Sequence, residues 1–262
     1  TYRAVTFFIM QDHSIYGCGS NAYGALGDGS TADKSTPTRV LLDDNSSPET
    51  TAYPIKLITN SGGFHHGCCA IMSDWTVRTW GYNGHGQCGT GNTSNQSIPY
   101  NPMAQNDEAY GFIDAHFNNN GDTSIALFLL RFDGTVWSAG YNANGVLGKG
   151  SDEVNFDHDY YPFTDNWEDS YGSDGYHTSY GEGSPEGQRV FTPIPFGNNR
   201  VQALASWGNA DSSQWTMGLS EGGYALGWGY TGGSHNWSLT NMEGQDDSIR
   251  PTPQGGPMPN VR

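Results

Sequence analysis

Six side chains with metal-binding chemistry fall between residues 65 and 88: His65, His66, Cys68, Cys69, His85 and Cys88. Structural zinc takes four nitrogen or sulfur ligands, and its cysteines arrive as close pairs such as Cys-x2-Cys with histidine partners. The spacing here matches no such pair. Cysteine also packs as a small apolar residue, so core packing is the stronger assignment and no metal site is expected. Four cysteines in 262 residues have neither the density nor the spacing of a disulfide framework. Cys68 and Cys69 are adjacent, which disfavours a bond between them.

The second stretch with chemistry is "SDEVNFDHDYYPFTDNWEDSYGSDGYHTSYGEG", beginning at Ser151, within an acidic segment that has no Lys or Arg before Arg189. Aromatic rings stack on the apolar faces of sugars, and neighbouring carboxylates accept hydroxyl hydrogen bonds. Asp157, Asp159, Tyr160, Tyr161, Trp167, Glu168, Asp169, Tyr171 and Tyr176 are therefore the candidate binding residues. An acidic loop packed against a neighbouring subunit is the equal alternative. Calcium held by Asp157, Asp159 and Asp165 ranks behind both, because the spacing lacks the EF-hand pattern. Nucleophile elbows and His-Glu-x-x-His are missing. A glycosidase pair could sit among so many carboxylates, but no pair stands out, so no catalytic residue and no cofactor is assigned.

The elements that position these residues follow from composition and repetition. Only 35% of residues are apolar, 13% are aromatic, and 37 are glycine. Few aliphatics with many turn formers argue for short strands and an all-β fold. The formal charge of −16 repels phosphate backbones and disfavours nucleic-acid partners. No apolar run approaches the roughly 18 residues that span a bilayer. Residue 1 is Thr, which is expected of a processed chain or a segment of something longer.

Four segments superimpose without gaps: "IMQDHSIYGCGSN" from Ile9, "IMSDWTVRTWGYN" from Ile71, "LRFDGTVWSAGYN" from Leu130 and "LSEGGYALGWGYT" from Leu219. Each carries an apolar lead-in, a tight turn, an alternating strand and a glycine (Gly19, Gly81, Gly140, Gly229). Asp133-Gly134 and Gly222-Gly223 suit a two-residue hairpin turn, whose central residues need positive φ. Asp12-His13 and Asp74-Trp75 fit less well and are expected to be looser. Three units continue with a matching tail, "NAYGALGDG", "NGHGQCGTG" and "NANGVLGKG", starting at Asn21, Asn83 and Asn142. Pro37 and Pro99 follow eight residues after Gly29 and Gly91, and Pro193 is the matching proline of the third unit, 43 residues after Gly150. With that insertion removed the period is roughly 54 to 62 residues, which is the length of a propeller blade. In this alignment Cys88 stands where Leu26 and Leu147 stand, and Cys18 where Trp80 and Trp228 stand, all expected in the core.

"DGTVWSAGYNANGVLGKG" and "DWTVRTWGYNGHGQCGTG" resemble the repeats of the regulator-of-chromosome-condensation family, Asp-Gly-x-Val-x-x-Trp-Gly-x-Asn-x-x-Gly-Gln-Leu-Gly-x-Gly. The resemblance is strong in units two and three, good in unit one and weak in unit four. It implies a β-propeller, seven-bladed in family members where this chain supplies four units, and a structural histidine near His66. The expected organisation is one propeller-like domain over residues 1–262. Its units run approximately 1–61, 62–122, 123–204 and 205–262, with the acidic insertion at 151–190.

Family members include small-GTPase exchange factors, inhibitors of bacterial enzymes, signalling modules and phage or bacterial surface domains, and fold alone does not choose among them. The lysine-poor surface leads to the expectation of a non-enzymatic structural or binding propeller. It would be extracellular or on a virion, such as a tail-fibre or decoration domain, and would contact other structural proteins or a cell-surface glycan. It would work without nucleic acid or membrane insertion, as a homo-oligomer or part of a larger assembly. The alternatives are a carbohydrate-active enzyme using the loop carboxylates, and a protein inhibitor or small-GTPase regulator acting through a propeller face.

Overall fold

The computed structural model describes residues 4–42, 52–60, 65–104, 110–119, 125–142, 146–148, 188–194, 200–208, 214–223, 225–230 and 247–254. They form four antiparallel sheets and no helix. The first holds β1 (Val5–Ile9), β2 (Ile15–Gly19) and β3 (Lys34–Arg39). The second holds β4 (Pro54–Thr59), β5 (Gly67–Met72), β6 (Val77–Gly81) and β7 (Gln96–Tyr100). The third holds β8 (Phe112–Asn119), β9 (Ile125–Arg131), β10 (Val136–Gly140) and β11 (Gln188–Pro193). The fourth holds β12 (Val201–Gly208), β13 (Gln214–Ser220), β14 (Ala225–Tyr230) and β15 (Asp247–Gln254). These are the blades of an all-β propeller. Blade and sequence unit are one strand out of phase, because β4 precedes residue 62 yet pairs with β5.

The repeated hairpin joins β1 to β2, β5 to β6, β9 to β10 and β13 to β14. Its loop has three residues, not two. His13 N donates to Met10 O at 3.0 Å while Met10 N donates to Ser14 O at 2.9 Å, and Met72–Thr76 and Arg131–Thr135 repeat the pattern. In such a loop only the third residue needs the left-handed conformation. His13 (φ 65°), Trp75 (φ 64°), Gly134 (φ 80°) and Gly223 (φ 79°) all adopt it. The turns expected to be looser are therefore as tight as the rest. The aspartate before the left-handed residue supplies the compensation. Its Oδ1 accepts from the backbone N–H two residues on, at 3.0 Å from Ser14, Thr76 and Thr135, and from their hydroxyls.

The glycine that closes the second hairpin strand has a separate cause. Gly19, Gly81 and Gly140 have φ between 93° and 116°. At each, a Cβ would overlap the carbonyl oxygen of Ala4, His66 or Ile125. That same carbonyl accepts the next residue's N–H, from Ser20, Tyr82 and Tyr141 at 2.9 to 3.0 Å.

Each hydrophobic core lies between two blades. In β5, Cys68, Ala70 and Met72 pack with Ile15, Val40 and Trp80 on the first-blade side. Cys69 and Ile71 pack with Ala115, Leu127, Leu129 and Phe191 of the third blade. In β9 the opposite set, Ala126, Phe128 and Leu130, packs with Val201, Leu204, Leu226 and Trp228 of the fourth. A strand buried on both faces reads as a continuous apolar run, and that is what "GCCAIM" and "IALFLLR" are.

One ring in each of the last three blades abuts a tail glycine of the blade before. Trp80 lies against Gly27, Trp228 against Gly148, and in the third blade Phe191 lies against Gly89. The third blade has Ala139 where the others have tryptophan. Pairing of Thr38, Tyr100 and Thr192 with Gly17, Thr79 and Ser138 makes Phe191, not Pro193, the counterpart of Pro37 and Pro99. The proline register expected in this unit is therefore displaced by two, and an aromatic ring occupies the space left by the missing indole. Cys18, expected in the core beside Trp80, is only partly buried. Among the described residues no blade tail stands in front of it.

The backbone at the hairpin tip yields a paired outcome. Trp75→Gly removes the left-handed strain of a side chain and is expected to raise stability by about 1 kcal/mol. Gly134→Ala is expected to lower it by about 1–2 kcal/mol, since its Cβ would also lie 2.6 Å from Arg200 Cβ. Urea unfolding midpoints of the two variants, moving in opposite directions, check this.

Candidate functional site

The blades present two rims. On one, the loops that follow β2 and β6 are each organised by a buried asparagine. Asn83 Oδ1 accepts from Cys88 N at 2.8 Å, and its Nδ2 donates to Asn92 O and Ser94 O, each at 3.0 Å. Asn21 does the same with Leu26 N (2.8 Å), Ser30 O (3.0 Å) and Ala32 O (3.2 Å). Both residues are 0% exposed. Asn142 keeps the first bond, to Leu147 N at 3.1 Å. The loop thus encloses its own polar groups.

Above these loops runs a row of half-buried rings. Tyr23 stacks on His65 with centroids 4.7 Å apart, His65 meets Tyr82 at 4.4 Å, and His85 meets Tyr82 at 6.5 Å and Tyr141 at 5.0 Å. Burial, then the charge of His65, pushes the His85 imidazole below its ordinary value. Burial, then Tyr23, raises the Tyr82 phenol. His85 is accordingly a neutral ring at pH 7 and part of the packing.

On the opposite rim the hairpin tips meet the start of the next blade. Trp75 O accepts from Gly111 N (3.0 Å) and Phe112 N (3.1 Å), and Phe132 N donates to Gly111 O at 2.8 Å. His13 stacks on Tyr53 at 4.1 Å. Register shifts in the first strand of two blades place Ile55 and Ile113 at β-bulges, which re-aim side chains. The result is a dense set of exposed apolar groups: Tyr53 (44%), Ile55 (46%), Trp75 (47%), Tyr110 (52%), Ile113 (40%) and Phe132 (63%). Isolated exposed apolar residues need no explanation, but a contiguous set marks an interaction surface. Trp75 and Phe132 take loop positions that are small or polar elsewhere: Gly134 and Gly223 match Trp75, and Gln11, Ser73 and Glu221 match Phe132. That mismatch was the available signal. Sequence reasoning missed it by treating Trp75 as a poor turn residue and Phe132 as part of an apolar lead-in.

Between the rims, Lys56 of β4 pairs with Asp114 of β8 and ties the second blade to the third, with His116 Nε2 3.4 Å from the other carboxylate oxygen. Burial opposes the Asp114 charge, but the Lys56 hydrogen bond, the Ala115 N–H and the charges of His116 and Lys56 outweigh it. They hold the carboxyl below its usual range.

The cysteines are packing groups. Burial raises the thiol of Cys69 to about 12 and those of Cys68 and Cys88 well above their ordinary value. Among the described residues no three His, Cys, Asp or Glu side chains come together to hold a metal. The acidic-loop candidates Asp157, Asp159, Tyr160, Tyr161, Trp167, Glu168, Asp169, Tyr171 and Tyr176 lie outside the described residues, as does Asp165.

The regulator of chromosome condensation (RCC1) repeat model matches residues 12–69 and 76–109. Those spans hold Gly19, Gly81 and both fully formed asparagine hubs, while Asp74 and Trp75 fall between them. These two stretches are RCC1 repeats. An RCC1 repeat-containing protein of Dictyostelium discoideum is 26% identical over 151 residues, covering 55% of this chain and 28% of the relative. Human HERC2, an E3 ubiquitin-protein ligase, is 38% identical over 88 residues, 34% of this chain and 2% of the relative. Among solved structures, human WBSCR16 aligns with 97% of this chain at TM-score 0.58 and 19% identity, with 51% of its own length covered. Yeast RCC1 (Prp20) bound to Kap60 aligns with 97% at TM-score 0.60 and 15% identity, with 48% covered. The chain therefore spans about half the length of these two solved structures.

Two outcomes follow from these contacts. Asn83→Ala strands the Cys88 N–H and two carbonyls in the interior, at a cost of about 3 kcal/mol, measurable by urea denaturation. The depressed Asp114 pKa gives stability that is present above the unfolded carboxyl value of about 3.9 and lost as pH falls through the lower folded value. Asp114→Asn should therefore be less stable than wild type at pH 7, with the difference shrinking towards pH 3 in thermal melts.

Proposed function

We propose that this chain is a non-enzymatic protein-binding propeller whose partner docks on the hairpin-tip rim of the second and third blades. The observation that carries this is the exposure of Tyr53, Ile55, Trp75, Tyr110, Ile113 and Phe132 around the backbone joints at Gly111 and Tyr53. Those blades are complete four-stranded sheets, so the patch is not a consequence of an unpaired edge. Aromatic side chains are the residue class that dominates protein interfaces. The fold is compatible with this use: Prp20p of Saccharomyces cerevisiae, similar at TM-score 0.58 and 15% identity, is described by its binding to Gsp1p and histones. Regulation of a small GTPase is one specific form of protein binding compatible with this fold. A virion or cell-surface setting rests on the low lysine and arginine content, and glycan contact on the aromatic and carboxylate residues of the insertion at 151–190.

A photo-crosslinking side chain at position 75 tests the docking surface against the same group at exposed Thr36 of β3. In extracts of the source cells, position 75 is expected to capture a discrete protein and position 36 none; equal capture at both, or none at 75, counts against this face. Release of a fluorescent guanine nucleotide from a captured GTPase then separates a regulator, which accelerates it, from a passive platform.

A further inference from the structure

We propose that the Trp75–Phe132 patch receives a protein segment in which a lysine or arginine stands beside apolar side chains. The proposal rests on the docking role of the hairpin-tip rim and adds the chemistry of the partner. Trp75 is 47% exposed and directly follows Asp74, itself exposed. The Asp74 Oδ1 is taken by the Thr76 N–H and hydroxyl, and no cation among the described residues pairs with its carboxylate. An indole face and an unpaired carboxylate side by side attract a cation through the ring quadrupole and through charge.

The cations near this patch are engaged, beginning with Arg78, whose Nη1 donates to the Thr76 hydroxyl and to Val77 O, each at 3.0 Å. Arg131 lies 3.4 Å from Asp133 and 5.9 Å from the centroid of the Phe132 ring. Arg200 Nη1 donates to Asp133 O at 2.6 Å, and Lys56, between the rims, is paired with Asp114. The open valence of the patch is thus negative and aromatic at Trp75, and apolar at Tyr110, Ile113 and Phe132. Charge on the larger scale agrees. A chain of formal charge −16 draws basic partners toward it and repels acidic ones. A second copy carries the same −16 and is disfavoured as the occupant.

The test uses a fluorescein-labelled twelve-residue peptide of alternating leucine and arginine, a twin with citrulline for arginine, and a twin with serine for leucine. Binding is read by fluorescence anisotropy at about 0.15 M salt, where the Debye length is about 8 Å. The leucine–arginine peptide is expected to bind, and each twin to bind about tenfold more weakly. Trp75→Gly, which removes the ring while relieving the backbone, should weaken binding about tenfold. Asp74→Asn should weaken it about threefold to tenfold, and Glu221→Gln, which removes the same charge from another hairpin tip, less than about twofold.

If the citrulline twin binds as tightly, or Asp74→Asn and Glu221→Gln act alike, the cation assignment is overturned. Docking on the rim still stands in that case so long as Trp75→Gly weakens binding. If Trp75→Gly changes nothing for any peptide, the docking role falls as well. Sedimentation showing a wild-type dimer that Trp75→Gly converts to monomer would identify a second copy as the occupant and overturn the proposal.

Discussion

A buried asparagine amide at the exit of the second hairpin strand is the interaction on which the loop rim depends. Backbone that turns back over a sheet carries N–H and C=O groups that no ladder can pair, and leaving them unpaired in the interior costs more than most packing gains. One primary amide offers both a donor and an acceptor on a short stem, so it can satisfy both sides of a loop at once. Asn21 and Asn83 do this with the same backbone positions five, nine and eleven residues on. Aspartate lacks the donor and glutamine has a longer stem. With the loop closed, Leu26 and Cys88 are held inside, and the tail glycine after each lies against the ring of the next blade.

That contact makes the blades interdependent. Trp80 Nε1 donates to Ala25 O across the joint at 2.8 Å, so a loop of the first blade satisfies an indole of the second. The third blade shows that the requirement is for a ring in that space and not for a tryptophan in the sequence. Alanine at 139 and phenylalanine at 191 exchange volume between two strands of one sheet, as cores tolerate when total volume is kept.

The architecture was legible because its causes are local and repeat. A glycine where a carbonyl leaves no room for a Cβ recurs at the same place in the first three hairpins, and so does an aspartate two residues before a hydroxyl. The hairpin turn was misread because Asp-Gly suits two different loops, and only the hydrogen bonds of Met10, Met72 and Arg131 distinguish them. The register of the third blade was misread because a proline lay close to the expected place while the physical substitute was Phe191. Of the candidate patch, only the mismatched residues Trp75 and Phe132 were legible, and not their meeting with the rest. Its members, such as Trp75 and Tyr110, are far apart in sequence and come together only where one blade hands over to the next. The acidic loop drew attention by composition, which says nothing about position.

Because each core is shared by two sheets, the unit that carries stability is the joint and not the blade. A duplicated or transplanted blade brings only half of each of two cores, and its new neighbours must supply the other halves. Gene shuffling within such a protein would therefore succeed with cuts made inside a sheet, so that neighbouring units remain linked by a strand ladder. The one-strand offset between the sequence unit and the sheet places the repeat boundary at such a cut. It lies between β4 and β5, so a copied unit inherits a strand of one blade and the hairpin of another. Duplication then preserves the ladder that links them.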